Sequence, residues 1–460
     1  MKRLDLLRSP AVASLLRSRW PTLAISLLAL AGFVLAIVAG LAGTPVGSRN
    51  FGIIAVWIAW WAALILIAVP LLGRGWCSIC PLPLPGAWLQ RGGVFAPSAR
   101  RRGLGLRWPR RLRNLWTQNI GFAILAVLST AILTQPSVSA MVLLGLMAAA
   151  VGVSLVFERR AFCSYVCPVG GFIGLYSQVA PLEIRVRDAS VCAGHSEKTC
   201  YFGSQHGEGC PWQVFPAGLN RNSACGMCFE CLRTCPHDNI ALRLRPFGSD
   251  LPRPAGRRLD EAYKGLLMLA SALAYSAVLL GPWGAIKTAA FRVGTPEWAI
   301  FAGAFLAAAF IGLPGAFALH VVAGRALGGL RRGLRETVAE FAQALIPLGL
   351  AGWAAFSLSF VLSNLSYLWP VLSDPFGAGW NLIGTAAGAW TPYLGGALPA
   401  LQTGILVCGL AWAASLARRI AARLVGGGTL GGRRRAVALA SPVVSFALGV
   451  TVLQLWLLIG

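Results

Sequence analysis

The chain has 460 residues, 57% of them hydrophobic and only 12% charged, against about 25% charged in an ordinary globular domain. That composition sets aside a soluble globular protein and points to one that lives in a membrane. A formal net charge of +25 would suit nucleic acid if the basic residues formed one patch, but they are spread along loops beside apolar runs, so no nucleic-acid partner is expected.

A helix needs about 17–25 apolar residues to cross a hydrocarbon core of about 30 Å. Nine such runs are expected, near 22–43, 51–72, 119–134, 138–157, 265–283, 298–321, 340–363, 396–417 and 437–459. The first follows "MKRLDLLRSP" and outlasts the about 7–15 residues of a signal-peptide core, so it reads as an uncleaved anchor. Residues 120–157 are almost unbroken until Gln135-Pro136-Ser137. The residue before a proline is pushed out of helical geometry, and a hairpin of two helices is expected there.

Between the runs, residues 73–118 carry nine arginines and no acid, and residues 418–435 carry six arginines and no acid. Basic loops beside helix ends mark the cytoplasmic face and meet lipid headgroups. With the N-terminus inside, only Arg49, Lys287 and Arg292 fall outside, which leaves 37 of the 40 Lys and Arg inside (40 minus 3). The expected location is the bacterial inner membrane, multi-pass, with the N-terminus and the cysteine-rich segment cytoplasmic, the C-terminus periplasmic, and membrane lipid as a partner.

Three regions are expected: a four-helix membrane region over 1–157, a cysteine-rich domain over 158–262 and a five-helix membrane region over 263–460. The middle one holds ten of the fifteen acids, and its "NIALRLR" alternates apolar and charged residues as a half-buried strand does. The fold class is therefore a predominantly α-helical polytopic membrane protein with a small cytoplasmic α+β ferredoxin-like module.

Eleven of the twelve cysteines lie between Cys77 and Cys235, in or beside loops where thiols stay reduced. The other, Cys408, reads as a small packing residue of the eighth run. Cys225, Cys228, Cys231 and Cys235, followed by Pro236, have the spacing of the bacterial ferredoxin run, in which three thiolates hold one 4Fe-4S cluster and the fourth reaches to a second. A structural zinc site usually shows two separated C-x-x-C knuckles instead. By that exchange Cys210, also followed by proline, joins Cys225, Cys228 and Cys231, while Cys235 joins Cys192 and Cys200. The second set is one ligand short: His195 in "CAGHSEKTC" is placed to supply an imidazole unless it is merely a solvated loop residue, His206 is a weaker candidate, and a three-cysteine cluster or a sulfur from elsewhere in the fold are the alternatives.

Two further pairs, Cys77 and Cys80 in "WCSICP" and Cys163 and Cys167 in "FCSYVCP", emerge at helix ends on the same expected face. Two 4Fe-4S clusters are thus expected; a third at the membrane edge is weighed against two redox-active or structural dithiols. No haem is expected, because no C-x-x-C-H occurs and His320 is the sole histidine in an expected span. No nucleotide is expected either. "GGGTLG" at 426–431 spells the dinucleotide fingerprint but joins two helices, whereas the fingerprint works between a strand and a helix.

Membrane-edge pairs followed by a ferredoxin run resemble the membrane-bound 4Fe-4S polyferredoxin family, of the NapH and NosR type, over about residues 50–245. The family's C-x-x-x-C-P motif is met by "CSYVCP", while "CSICP" is one residue shorter. The resemblance implies electron exchange with the quinone pool or with a partner redox protein or subunit, and gives no counterpart for the spans from about 265 onward. The function expected is relay of electrons through cytoplasmic 4Fe-4S clusters between a quinone or soluble donor and a partner redox protein. An accessory or maturation factor for a metalloenzyme, or a transporter with a structural zinc or redox-sensing cysteine domain, are the alternatives.

Overall fold

The computed structural model describes residues 4–94, 103–254, 258–281 and 284–459. Among them eight helices are long and apolar enough to cross a membrane: Trp20–Ala42 (α1), Phe51–Leu72 (α2), Pro136–Val156 (α3), Leu259–Leu280 (α4), Pro296–Gly328 (α5), Leu334–Ser373 (α6), Gly395–Val425 (α7) and Leu430–Ile459 (α8). The run expected over 119–134 is split into Trp116–Val127 and Ser129–Thr134, because Leu128 leaves helical geometry at φ −90° and ψ 4°. Gln135 is extended and Pro136 opens α3, as the hairpin expectation requires. Residues 282–283, at the end of the fifth expected run, lie outside the described residues. The chain is a helical polytopic membrane protein with a small α+β module.

Two compact units are formed. One comprises Val38–Leu66, Asn119–Ala140 and Leu251–Gly460. Its centre is Trp353, which packs edge-on against Trp61, Phe122, Tyr275 and Phe356 and donates its indole N–H to the Met268 carbonyl at 2.9 Å. Helices α5 and α8 close on each other through Gly324 and Gly328: a Cβ at position 328 would lie 2.7 Å from that of Leu439. Small residues four apart are how membrane helices approach where burial gives no drive. Gly426 caps α7 in the left-handed conformation, φ 71°, so "GGGTLG" is a helix-to-helix turn. Cys408 is exposed on α7 instead of packed; a face turned to lipid satisfies a small apolar residue equally well.

The other unit comprises Met1–Ile37, Ile67–Gln118 and Met141–Asp250 and contains all eleven clustered cysteines. It carries an antiparallel sheet of β1 (Leu4–Asp5), β2 (Leu182–Val186) and β3 (Ile240–Leu244), ordered β1-β3-β2. The strand expected in "NIALRLR" is β3. One sheet face buries Ile184, Ile240 and Leu242 against Leu7, Met227 and Leu232. The opposite face buries charge: Arg245 pairs with Glu183 at 3.2 Å and with Asp250, and Arg185 reaches Glu183 at 3.2 Å and Asp250 at 3.6 Å. Asp250 also accepts the Asn222 backbone N–H at 2.8 Å, and the Asn222 amide donates to the Leu182 carbonyl at 2.7 Å. The ionic face of the sheet therefore fixes the start of the loop that carries Cys225.

Removing one partner of a buried ion pair costs about 3–5 kcal/mol, whereas an exposed i,i+4 pair such as Arg332 with Glu336 is worth about 0.3–0.5 kcal/mol. Asp250→Ala is expected to speed amide hydrogen exchange across β2 and β3 in detergent-purified protein, and Arg332→Ala to leave exchange there unchanged. Equal protection in both variants would remove the ionic face as the anchor of the sheet.

Candidate metal centre

The sequence places the first cysteine group where helices end. Gly73, at φ 63°, turns the chain out of α2, and a short helix, Trp76–Ile79, follows with Cys77, then Cys80 at its cap. Cys163 lies in the turn Phe162–Val166, and Cys167 is the N-cap of the helix Pro168–Tyr176. These four share one neighbourhood: the Cys80 thiol is pushed well above the usual range, first by burial and then by Cys77, Cys163 and Cys167 in turn. The Gly170 N–H donates to the Cys167 sulfur at 3.2 Å. A Cβ on Gly170 would lie 3.5 Å from that sulfur and 3.1 Å from the Cys163 carbonyl oxygen, so glycine keeps a cradle open there.

The second group is Cys210, Cys225, Cys228 and Cys231. Burial lifts the Cys231 thiol well above its usual value, and Cys228, Cys225 and Cys210 lift it further. The loop pays in backbone strain, since Met227 at φ 51° and Phe229 at φ 60° are left-handed without being glycine, each at a cost on the order of 1–3 kcal/mol. That geometry turns amides toward sulfurs: the N–H groups of Met227, Glu230 and Trp212, each two residues on, face Cys225, Cys228 and Cys210. Leu82 does the same for Cys80. Hydrogen bonds to the sulfurs are what a cluster-binding loop supplies. Gly226 is required, as a Cβ there would fall 1.7 Å from the Trp212 indole nitrogen.

The third group is Cys192, Cys200 and Cys235. Asn239 ties two of them: its side-chain amide donates to the Cys192 sulfur at 3.3 Å and its backbone N–H to the Cys235 sulfur at 3.4 Å. Cys200 is raised to about 11, first by burial, then by Cys235 and Cys192. His195 lies in the turn between Cys192 and Cys200. Its Nδ1 is buried without a hydrogen-bond partner, and its ring lies 4.6 Å from that of His237. Lys198 holds the turn closed by donating to the carbonyls of Cys192 at 2.6 Å and His195 at 2.8 Å. His206 is exposed.

Cations bound to cysteine carbonyls recur in all three groups. Arg160 donates to Cys77, Arg74 to Cys163 at 3.4 Å, Arg159 to Cys210 at 2.7 Å and Arg233 to Cys228 at 3.1 Å, beside Lys198 on Cys192. None of these, nor Asn239 and His237, is singled out by the sequence, although His237 follows the Cys235-Pro236 step directly.

The donor sets fit 4Fe-4S clusters. Burial raises Cys163 to about 11, Cys167 to about 12 and Cys225 to about 11, whereas reactive dithiols have lowered values in partly exposed sites. Among the described residues no three His, Cys, Asp or Glu side chains converge as ligands of a single metal ion. A structural zinc needs four ligands about 2.0–2.3 Å from one point, while the ligands of a 4Fe-4S cluster each take a different iron. The His195 Nδ1 is left buried without a partner, and Cys210, Cys225, Cys228 and Cys231 line a small pocket of their own.

Comparison with known proteins bears on the first group. Residues 53–107 and 139–187 match the family described as a 4Fe-4S binding domain, a match that contains Cys77, Cys80, Cys163 and Cys167. The chain is also 26% identical over 131 residues, 28% of its own length, to "Putative electron transport protein YccM" of Escherichia coli (strain K12). The aligned part spans about a third, 32%, of that relative. No solved structure matches. The membrane-edge segments of this helical polytopic protein are thus similar to a 4Fe-4S binding domain.

Proposed function

We propose that the protein relays electrons at a membrane surface through three 4Fe-4S sites: Cys77, Cys80, Cys163 and Cys167; Cys210, Cys225, Cys228 and Cys231; and Cys192, Cys200 and Cys235 completed by His195. The observation that carries this reading is the gathering of eleven buried or half-buried cysteines into three groups within one unit. When bound, a 4Fe-4S cluster supplies reversible one-electron transfer at each site. The chain's part is to hold it dry, to aim amides at its sulfurs, and to surround it with the cations on the cysteine carbonyls. Positive-inside loops support a cytoplasmic face for the module.

A cavity of about 450 Å³ in the same unit reaches Cys228 and is lined by Trp20, Leu23, Trp88, Arg19, Arg91 and Glu230. Arg159, Arg160, Arg233, Glu158 and Glu208 also line it, so its wall is strongly charged; a quinone or a partner redox protein as electron donor or acceptor rests on the resemblance of the cysteine motifs.

Protein purified without oxygen is expected to hold about twelve irons and as many acid-labile sulfides, since each 4Fe-4S cluster supplies four; about eight would leave the membrane-edge cysteines as dithiols. His195→Ala is expected to lower iron to about eight with the remaining two spectroscopic signals intact, and unchanged iron would pass the fourth ligand to another residue. A phosphatase reporter fused after Ile459 is expected to be active in the periplasm, and one replacing residues beyond Phe247 inactive; the reverse pattern would invert the orientation.

A further inference from the structure

Among the described residues of the cysteine-bearing unit, Arg74 is the one strongly buried cation with no carboxylate partner. The residue is 6% exposed. The neighbouring buried arginines show the contrast, because Arg185 and Arg245 share Glu183 and Asp250. The contacts of Arg74 are neutral: Nη1 donates to the Ser223 carbonyl, Nη2 to the Cys163 carbonyl at 3.4 Å, and the guanidinium lies 4.2 Å over the Trp212 ring. Its Nε is buried with no hydrogen-bond acceptor. Burying a charge without an opposite charge is costly, and a buried arginine left in this state implies an anion that the side chains do not provide.

Its location identifies that anion. Ser223 lies two residues before Cys225, Trp212 two residues after Cys210, and Cys163 is itself in the membrane-edge group. The slot is shaped for the guanidinium: a Cβ on Gly174 would come within 3.1 Å of Nη1, and the left-handed turn at Gly73 delivers the residue from the end of α2. Arg74 thus bridges the first and second cysteine groups, and none of its contacts reaches the third.

We infer, on the reading that these groups hold 4Fe-4S clusters, that Arg74 is the shared counter-charge of the membrane-edge site and the Cys225 site, a positioning residue that raises both reduction potentials together. A thiolate-held cluster is negative in both oxidation states and more so when reduced, so a fixed cation in a low-dielectric setting favours the reduced form. Because one guanidinium serves both sites, the two potentials are tied to one residue.

The test is a redox titration of full-length protein in detergent, followed by electron paramagnetic resonance, with iron measured on each sample. Arg74→Gln is expected to keep its iron and to lower the potentials of two of the three signals by at least a tenfold change in reduction equilibrium, 59 mV for a one-electron couple, leaving the third unmoved. Arg74→Lys, which keeps the charge and loses the fork, is expected to recover most of that shift. An unmoved pair of potentials in Arg74→Gln, or an equal shift of all three signals, overturns the inference. If Arg74→Gln loses iron, Arg74→Lys decides: wild-type iron with near wild-type potentials supports the counter-charge, and loss of iron there too overturns it in favour of a packing role. Wild-type protein without iron would instead overturn the cluster reading itself.

Discussion

Everything in the cysteine-bearing unit follows from the difficulty of keeping negative sulfur inside protein. A buried thiol resists ionisation, and burial pushes Cys163, Cys167, Cys200 and Cys225 up for that reason. The chain answers with three means at once: amides from residues two further on, cations fastened to the carbonyls of the cysteines themselves, and a rigid support behind the loops. The last is the reason a small sheet buries two arginines and two carboxylates on one face. Those charges add little to net stability by themselves, but they fix Asn222 and so the entry to the Cys225 loop. Strain at Met227 and Phe229 is tolerated because that support over-determines the loop.

The two ends of this arrangement use different physics. The membrane-edge group draws on helix termini, with Cys167 at the N-terminus of a helix whose dipole favours negative charge, while the ferredoxin run draws on a strained loop that leads into the short helix Glu230–Thr234. Arg74 lies where the two regimes meet. The helical unit, by contrast, is centred on aromatic packing around Trp353 and on close glycine contacts.

Much of this was legible from sequence because cysteine spacing is a direct image of the chemistry. The proposed assignment of Cys210 to the first three residues of the ferredoxin run, and of Cys235 to Cys192 and Cys200, rests on the exchange implied by a proline after the fourth cysteine, in a region where both sets are close neighbours. The hairpin at Gln135 and the strand after Pro236 were legible for equally local reasons. Arg74 was not, since an arginine after a membrane helix looks the same whether it meets lipid headgroups or turns inward. Asn239 and His237 carry no spacing signature. The break at Leu128 has no proline or glycine to announce it, and Cys408 shows that apolar periodicity cannot separate an inner face from a lipid-facing one when both are apolar.

The shortest strand of the protein carries a counting rule. Leu4 and Asp5 are paired with Leu244 and Arg243, so the segment ahead of α1 and the segment after α3 occupy one aqueous compartment. A chain that leaves a compartment and returns to it crosses the membrane an even number of times. Between those points stand α1, α2 and α3, an odd set, and the parity is restored only if the split run from Trp116 to Thr134 crosses as well. Two paired residues thereby make the broken helix, too short in either piece to be recognised by its length, the fourth crossing that three full crossings by α1, α2 and α3 would require.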